Sequence, residues 1–217
     1  MSQDSSPRPG QLVLVPALIT LAVTLLRLVG ELQGWSPRLF SRAAGGGGAL
    51  VGISWLVPVF GAWFGWKLAA SGERPKSAWK ALGLTVLALA VLPAAGFVAA
   101  KLGIGEMSVT MLTIYAVVSV AGLLLALLAW PALGRTLLAY GLAARVPVVL
   151  VMLAAILGNW GTHYDVMPPG VPEMSGLTKW LMIGVLPQLT VWQWFTVVIG
   201  GLFGIAAAAL ARRRTAA

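Results

Sequence analysis

The chain carries a single histidine, His163, two residues before Asp165 in a stretch that also holds Asn159 and Tyr164. An imidazole titrates near neutral pH, so it can shuttle a proton or ligate a metal, and a neighbouring carboxylate can orient it. A histidine and an aspartate two apart match no recognised metal-site spacing, and no His-Glu-x-x-His is present. With one histidine and no cysteine, neither a metal nor a cofactor is expected. The plainer reading is a loop held by hydrogen bonds among Asn159, Thr162, His163 and Asp165, with Trp160 and Tyr164 in an interfacial aromatic belt.

Three further places can carry chemistry. Arg27 and Glu31 stand four apart within an apolar run, which puts them on one face of a helix. Ionisable groups in such runs face the bundle interior or a cavity, where they bind polar substrates or relay protons. The plainer reading is a self-neutralising pair. Arg145 precedes Pro147 in another apolar run. Its guanidinium either binds an anionic group in a cavity or reaches out to the headgroups. Gly45–Gly48 lie ahead of a third run, where free N–H groups at a helix start can hold an anion. The stretch has no G-x-x-x-x-G-K-[ST], so a nucleotide site is not implied and a flexible hinge is the simpler role.

The elements that must hold these residues follow from composition. The chain of 217 residues is 59% hydrophobic and only 10% charged, against about 25% charged in soluble domains. Its apolar runs of about 20 residues match the length a helix needs to cross a bilayer. The runs are continuous rather than alternating, which excludes a membrane β-barrel. The fold class expected is all-α, a polytopic transmembrane bundle of about six spans at residues 12–33, 49–70, 78–101, 109–130, 137–158 and 188–210. Five or seven spans are the alternatives, because Arg145 interrupts the fifth run and the last apolar stretch is overlong. Residues 1–11 read as a disordered cytoplasmic tail, and residues 159–187 as an extracytoplasmic loop followed by a short interfacial helix that ends at Pro187. Pro16 is placed in the first turn of its span, while Pro58, Pro93 and Pro147 are expected to kink theirs. The first run is too long for the core of a secretory signal.

Gly61 and Gly65 form a G-x-x-x-G, and Gly200, Gly201 and Gly204 form a second small-residue face. Such faces allow close helix packing, and a homo-oligomer or a larger membrane complex can assemble through them. The net charge of +9 does not indicate a nucleic-acid binder, because the basic residues are dispersed and the longest run is Arg212–Arg214. The side with both termini collects Arg8, Lys67, Arg74, Lys76, Lys80, Arg135, Arg145 and that run. The other side holds Arg38, Arg42, Lys101 and Lys179. The positive-inside rule then puts both termini in the cytoplasm of a cell with this protein in its inner membrane. Asn159–Glu173 falls outside, on the same face as Glu31 and Glu106.

The function expected is a small-solute transporter or channel-like protein in the lipid bilayer, with an outward-facing polar site built from Arg27, Glu31, His163 and Asp165. Asn159, Tyr164 and Arg145 are further candidates for substrate contact. The alternative is an integral-membrane enzyme acting on a lipid or envelope intermediate, with His163 as base and Asp165 as its orienter, or an accessory subunit docked through the glycine faces. The distance from Glu31 to His163 and Asp165 separates a site from a coincidence.

Overall fold

A computed structural model of the chain describes residues 9–105 and 108–214. Residues 1–8, most of the expected tail, and Glu106 lie outside the described residues. The helices are α1 (Pro9–Leu32), α2 (Leu56–Ala70), α3 (Ala78–Lys101), α4 (Val109–Ala129), α5 (Pro131–Gly158), α6 (Gly176–Lys179), α7 (Leu186–Leu189) and α8 (Val191–Arg214). A π-helical turn, Trp180–Val185, joins α6 to α7. Among the described residues six stretches are long and apolar enough to cross a membrane, the last being the composite Gly176–Ala211. Large side chains such as Leu14, Phe97, Leu124, Leu150 and Phe203 are exposed on the helix surfaces. In water such a surface would aggregate; facing lipid tails it is neutral. The protein is an all-α bundle, and its six apolar helices fit a multi-pass membrane protein.

Helix α8 is the hub, packing against α2, α3, α4 and α5, while α3 pairs with α4 and α1 lies along α5. The reason is visible in the glycines. A Cβ on Gly61 would stand 2.4 Å from the Gly200 Cα, and one on Gly65 would stand 2.1 Å from the Gly204 carbonyl oxygen. The two small-residue faces therefore meet each other, α2 against α8, with backbone touching backbone. Lipid tails are as apolar as leucine, so dispersion at such close contact is what holds helices together in a membrane. The faces expected to recruit a partner are occupied within the chain. Phe64, Leu133, Leu137, Tyr140, Val197 and Val198 fill the space beside this seam.

Several boundaries depart from expectation for local reasons. Helix α5 begins at Pro131, with only Trp130 between it and α4. Proline is suited to the first helical position, because that N–H has no intrahelical partner to lose. Gly134 lies inside α5 and lets its first turn fold back onto Leu127 of α4. Pro58 falls in the first turn of α2, so it removes no helical hydrogen bond there. Pro16 is interior to α1, which starts at Pro9. The final stretch divides at Thr190, whose φ and ψ are −118° and −76°, three residues beyond Pro187. Pro187 cannot donate to the preceding turn, and that turn is wound wide as the π-helix.

Candidate functional site

Arg27 and Glu31 lie on the same face near one end of α1, and the Arg27 Nε donates to the Glu31 Oε1 at 2.9 Å. The chain after α1 folds back over this face. Phe40 is the anchor: its ring lies against the backbone of Gly30, where a Cβ would stand 2.3 Å from Phe40 Cδ1. Trp35 meets the same ring edge-on. Ser41 and Gly46 then accept from the Arg27 Nη2 through their carbonyl oxygens, each at 3.1 Å. Arg42 donates through Nε, at 2.9 Å, and through Nη2 to the Glu31 carbonyl oxygen. A cation on the last carbonyls of a helix also suits the helix dipole.

The stretch 159–165 approaches from the other side. Asn159 ends α5 in the left-handed conformation at φ 48°, its N–H donating to the Ala155 carbonyl. Its side chain is exposed, so it caps a helix rather than joining a cluster. The Asp165 carboxylate accepts from the Gly161 N–H at 2.9 Å, and from the Thr162 N–H and hydroxyl at 2.7 Å each. These bonds tie residues 161–165 into a turn with His163 at its tip. Asp165 therefore builds the loop and does not orient the imidazole.

Glu31 takes that role. The His163 N–H donates to the Glu31 Oε2 at 2.9 Å, and the His163 Nδ1 stands 2.5 Å from the Oε1. A carboxylate only accepts, so Nδ1 carries the proton and Nε2 keeps its lone pair. Burial pushes the His163 imidazole below its ordinary pKa. The bond to Glu31 pulls the other way and the Arg27 charge adds to the lowering, so the ring is neutral at pH 7. Tyr164 is buried, its hydroxyl donating to the Thr24 carbonyl at 3.3 Å and its ring packed on His163 with centroids 3.8 Å apart. Burial pushes its hydroxyl pKa upward, so Tyr164 is a neutral strut.

Arg145 stands elsewhere. It is near the middle of α5, a 28-residue helix, roughly 20 Å from each end at 1.5 Å per residue. That is too deep to reach headgroups, and the residue is only 3% exposed. The guanidinium lies on the Trp192 face, 4.9 Å from the ring centroid, and its Nη1 donates to the Gln188 Oε1 across a long 3.4 Å. Its Nε has no partner. Among the described residues no carboxylate pairs with it. An arginine at mid-membrane costs about 2.5–3.5 kcal/mol even on the mildest scale. A cation over an aromatic face returns about 0.5–2 kcal/mol. The side chain is left short of compensation.

Both regions line one cavity of about 300 Å³. Arg27, Gly46 and His163 stand on its wall together with Arg145, Gln188 and Trp192, and Leu112, Val148, Met152 and Ile183 make apolar wall between them. Among the described residues no aspartate or glutamate lines it. Among the described residues no cluster of three metal-ligating side chains forms. The sequence pattern did not single out Gln188 or Trp192. The available signal was a polar residue in an apolar run with an aromatic four places on, both on one helical face. At Gly46 the sequence suggests a flexible hinge, and the structure gives the residue a packing role. It has φ +76°, and a Cβ there would press on His163 and Arg27, so its lack of a side chain lets the loop close over them. Compared with protein-family models, curated proteins and solved structures, the chain has no match in any of the three.

Proposed function

We propose that this is a small-solute transporter whose ligand site is the cavity between α1, α4, α5 and the π-helical segment. The observation that carries the reading is the cavity's composition: cationic and neutral donors, an apolar remainder and, among the described residues, no carboxylate on the wall. Its volume of about 300 Å³ falls at the lower end of the roughly 300–1,000 Å³ of small-molecule pockets. The irregular backbone beside it supports movement, because π-turns and broken helices in membrane proteins line cavities and functional sites. Both termini are placed in the cytoplasm of an inner-membrane topology by the charge bias. That bias keeps its direction when Arg145, now inside the bundle, is removed from the tally. The cavity's His163 end then faces outward.

Flux of labelled small organic anions into proteoliposomes tests the reading. Wild-type protein is expected to carry at least one of them, and Arg145→Gln to abolish that flux while the unfolding temperature holds. Flux unchanged by Arg145→Gln would remove this cavity from the transport path. A fluorescent protein of a variant that fails to mature after export, fused to the C-terminus, is expected to fluoresce.

One observation favours a second reading. The Glu31 contact leaves the His163 Nε2 lone pair unengaged on a residue of the cavity wall, which is the arrangement of a general base. A membrane enzyme of this kind would lose turnover in His163→Asn at unchanged thermal stability. The accessory-subunit reading loses its footing, because the glycine faces it needed pack on each other.

A further inference from the structure

The two ends of the cavity differ in charge. At one end Arg27 is matched by Glu31, and His163 is neutral, so that end sums to zero. At the other end Arg145 is matched by nothing among the described residues. Its surroundings are the Trp192 face and the Gln188 amide, which orient a guanidinium without neutralising it. Among the described residues the cavity therefore carries one uncompensated positive charge, held deep in the bundle on a fixed aromatic platform.

We propose that the cavity takes a singly charged oxyanion with a short apolar body, its head seated on Arg145 rather than on the Arg27–Glu31 pair. This rests on the reading that the cavity is the ligand site. The valence follows from charge matching: one guanidinium is balanced by one negative charge, and a dianion would leave a charge in a low-dielectric space. The planar fork of Arg145 suits a carboxylate or a phosphodiester, which it can bind through two parallel N–H donors. Gln188 can turn its amide to donate to the same head once the guanidinium is engaged. The body lies along Val148, Met152, Leu112 and Ile183, of which the unbranched Met152 adapts to irregular shapes. At the far end His163 Nε2 accepts from a hydroxyl or amide on the ligand tail.

The probes are hexanoate, hexylammonium and 1-hexanol, titrated calorimetrically against the full chain in zwitterionic phosphatidylcholine nanodiscs. Hexanoate is expected to bind saturably, with both other probes weaker by roughly tenfold or more, as one charge-assisted bidentate contact implies. Arg145→Gln is expected to weaken hexanoate by about the same factor, Arg145→Lys to restore part of it, and Gln188→Leu to weaken it a few-fold. Equal affinity for hexanoate and hexylammonium overturns the proposal, and that comparison needs no variant to fold. Hexanoate affinity unchanged in a folded Arg145→Gln also overturns it. Doping the discs with phosphatidylglycerol finds the source of the head: competition assigns a lipid, no competition an aqueous solute, and both keep the monoanion. Hexanoate binding through Arg145 without flux of any small anion would remove the transport reading alone. Anion flux that survives Arg145→Gln would remove this proposal and leave transport standing.

Discussion

Arg27 and Arg145 are both buried on the wall of one cavity, and their circumstances are opposite. Arg27 has a carboxylate one helical turn away and two backbone carbonyls from the loop above it. Arg145 has an aromatic face, one long contact to an amide and a bare Nε. A charge met by protein groups stabilises the structure around it. A buried charge left unmet destabilises the structure around it. The first arginine belongs to the architecture, and the second is the one proposed to meet a ligand, although the sequence spacing made the first look the more functional.

The comparison can be broken most directly at Glu31. Glu31→Ala strands Arg27 without its counter-ion and removes the acceptor of two His163 bonds. A loss of about 3–5 kcal/mol is expected, the usual effect of breaking a buried ion pair. Thermal unfolding in detergent measures it, and a loss under about 1 kcal/mol would mean the cluster does not hold the loops. Arg145→Met should move the other way. Removing an unpaired buried charge is expected to raise stability by about 1–3 kcal/mol, and a fall of similar size would show that Arg145 is structural after all.

Gly46→Ala probes the loop that closes over Arg27 and His163. The added Cβ must adopt φ +76° and meets His163 Cδ2 at 3.1 Å. The left-handed conformation alone costs about 1–2 kcal/mol, so a comparable drop in stability is expected in thermal unfolding.

The smallest effect is a pH dependence. The folded His163 pKa lies below its ordinary value, so between the folded and unfolded values the unfolded chain binds more protons. The stability owed to a neutral His163 is complete above about pH 6.5 and lost as pH falls below it. His163→Asn keeps a donor to Glu31 without the titration. The unfolding temperatures of wild type and variant should run parallel above about pH 6.5, with wild type falling faster below. Parallel curves down to pH 5 would show that the imidazole protonates freely in the fold.

Much of this was legible from the chain alone. Continuous apolar runs fixed helices and their membrane-spanning length, since each helix satisfies its own backbone and needs no partner to do so. The pairing of Arg27 with Glu31 was legible for the same reason, because spacing within one helix is local geometry. The small-residue faces at Gly61 and Gly200 were legible as faces. Their pairing with each other was not, because nothing local says which helix will meet which.

The site divides along the same line. The sequence determined that a histidine loop and an Arg–Glu pair exist and that charge bias favours the same side for both. Tertiary structure decided that Glu31, not Asp165, holds His163, because both oxygens of Asp165 are taken by the N–H groups of its own turn. It also decided that Arg145 turns inward onto Trp192, 47 positions later in the chain. Whether a buried charge is compensated depends on groups brought together across that distance by packing. A pattern of neighbours along the chain carries no trace of it.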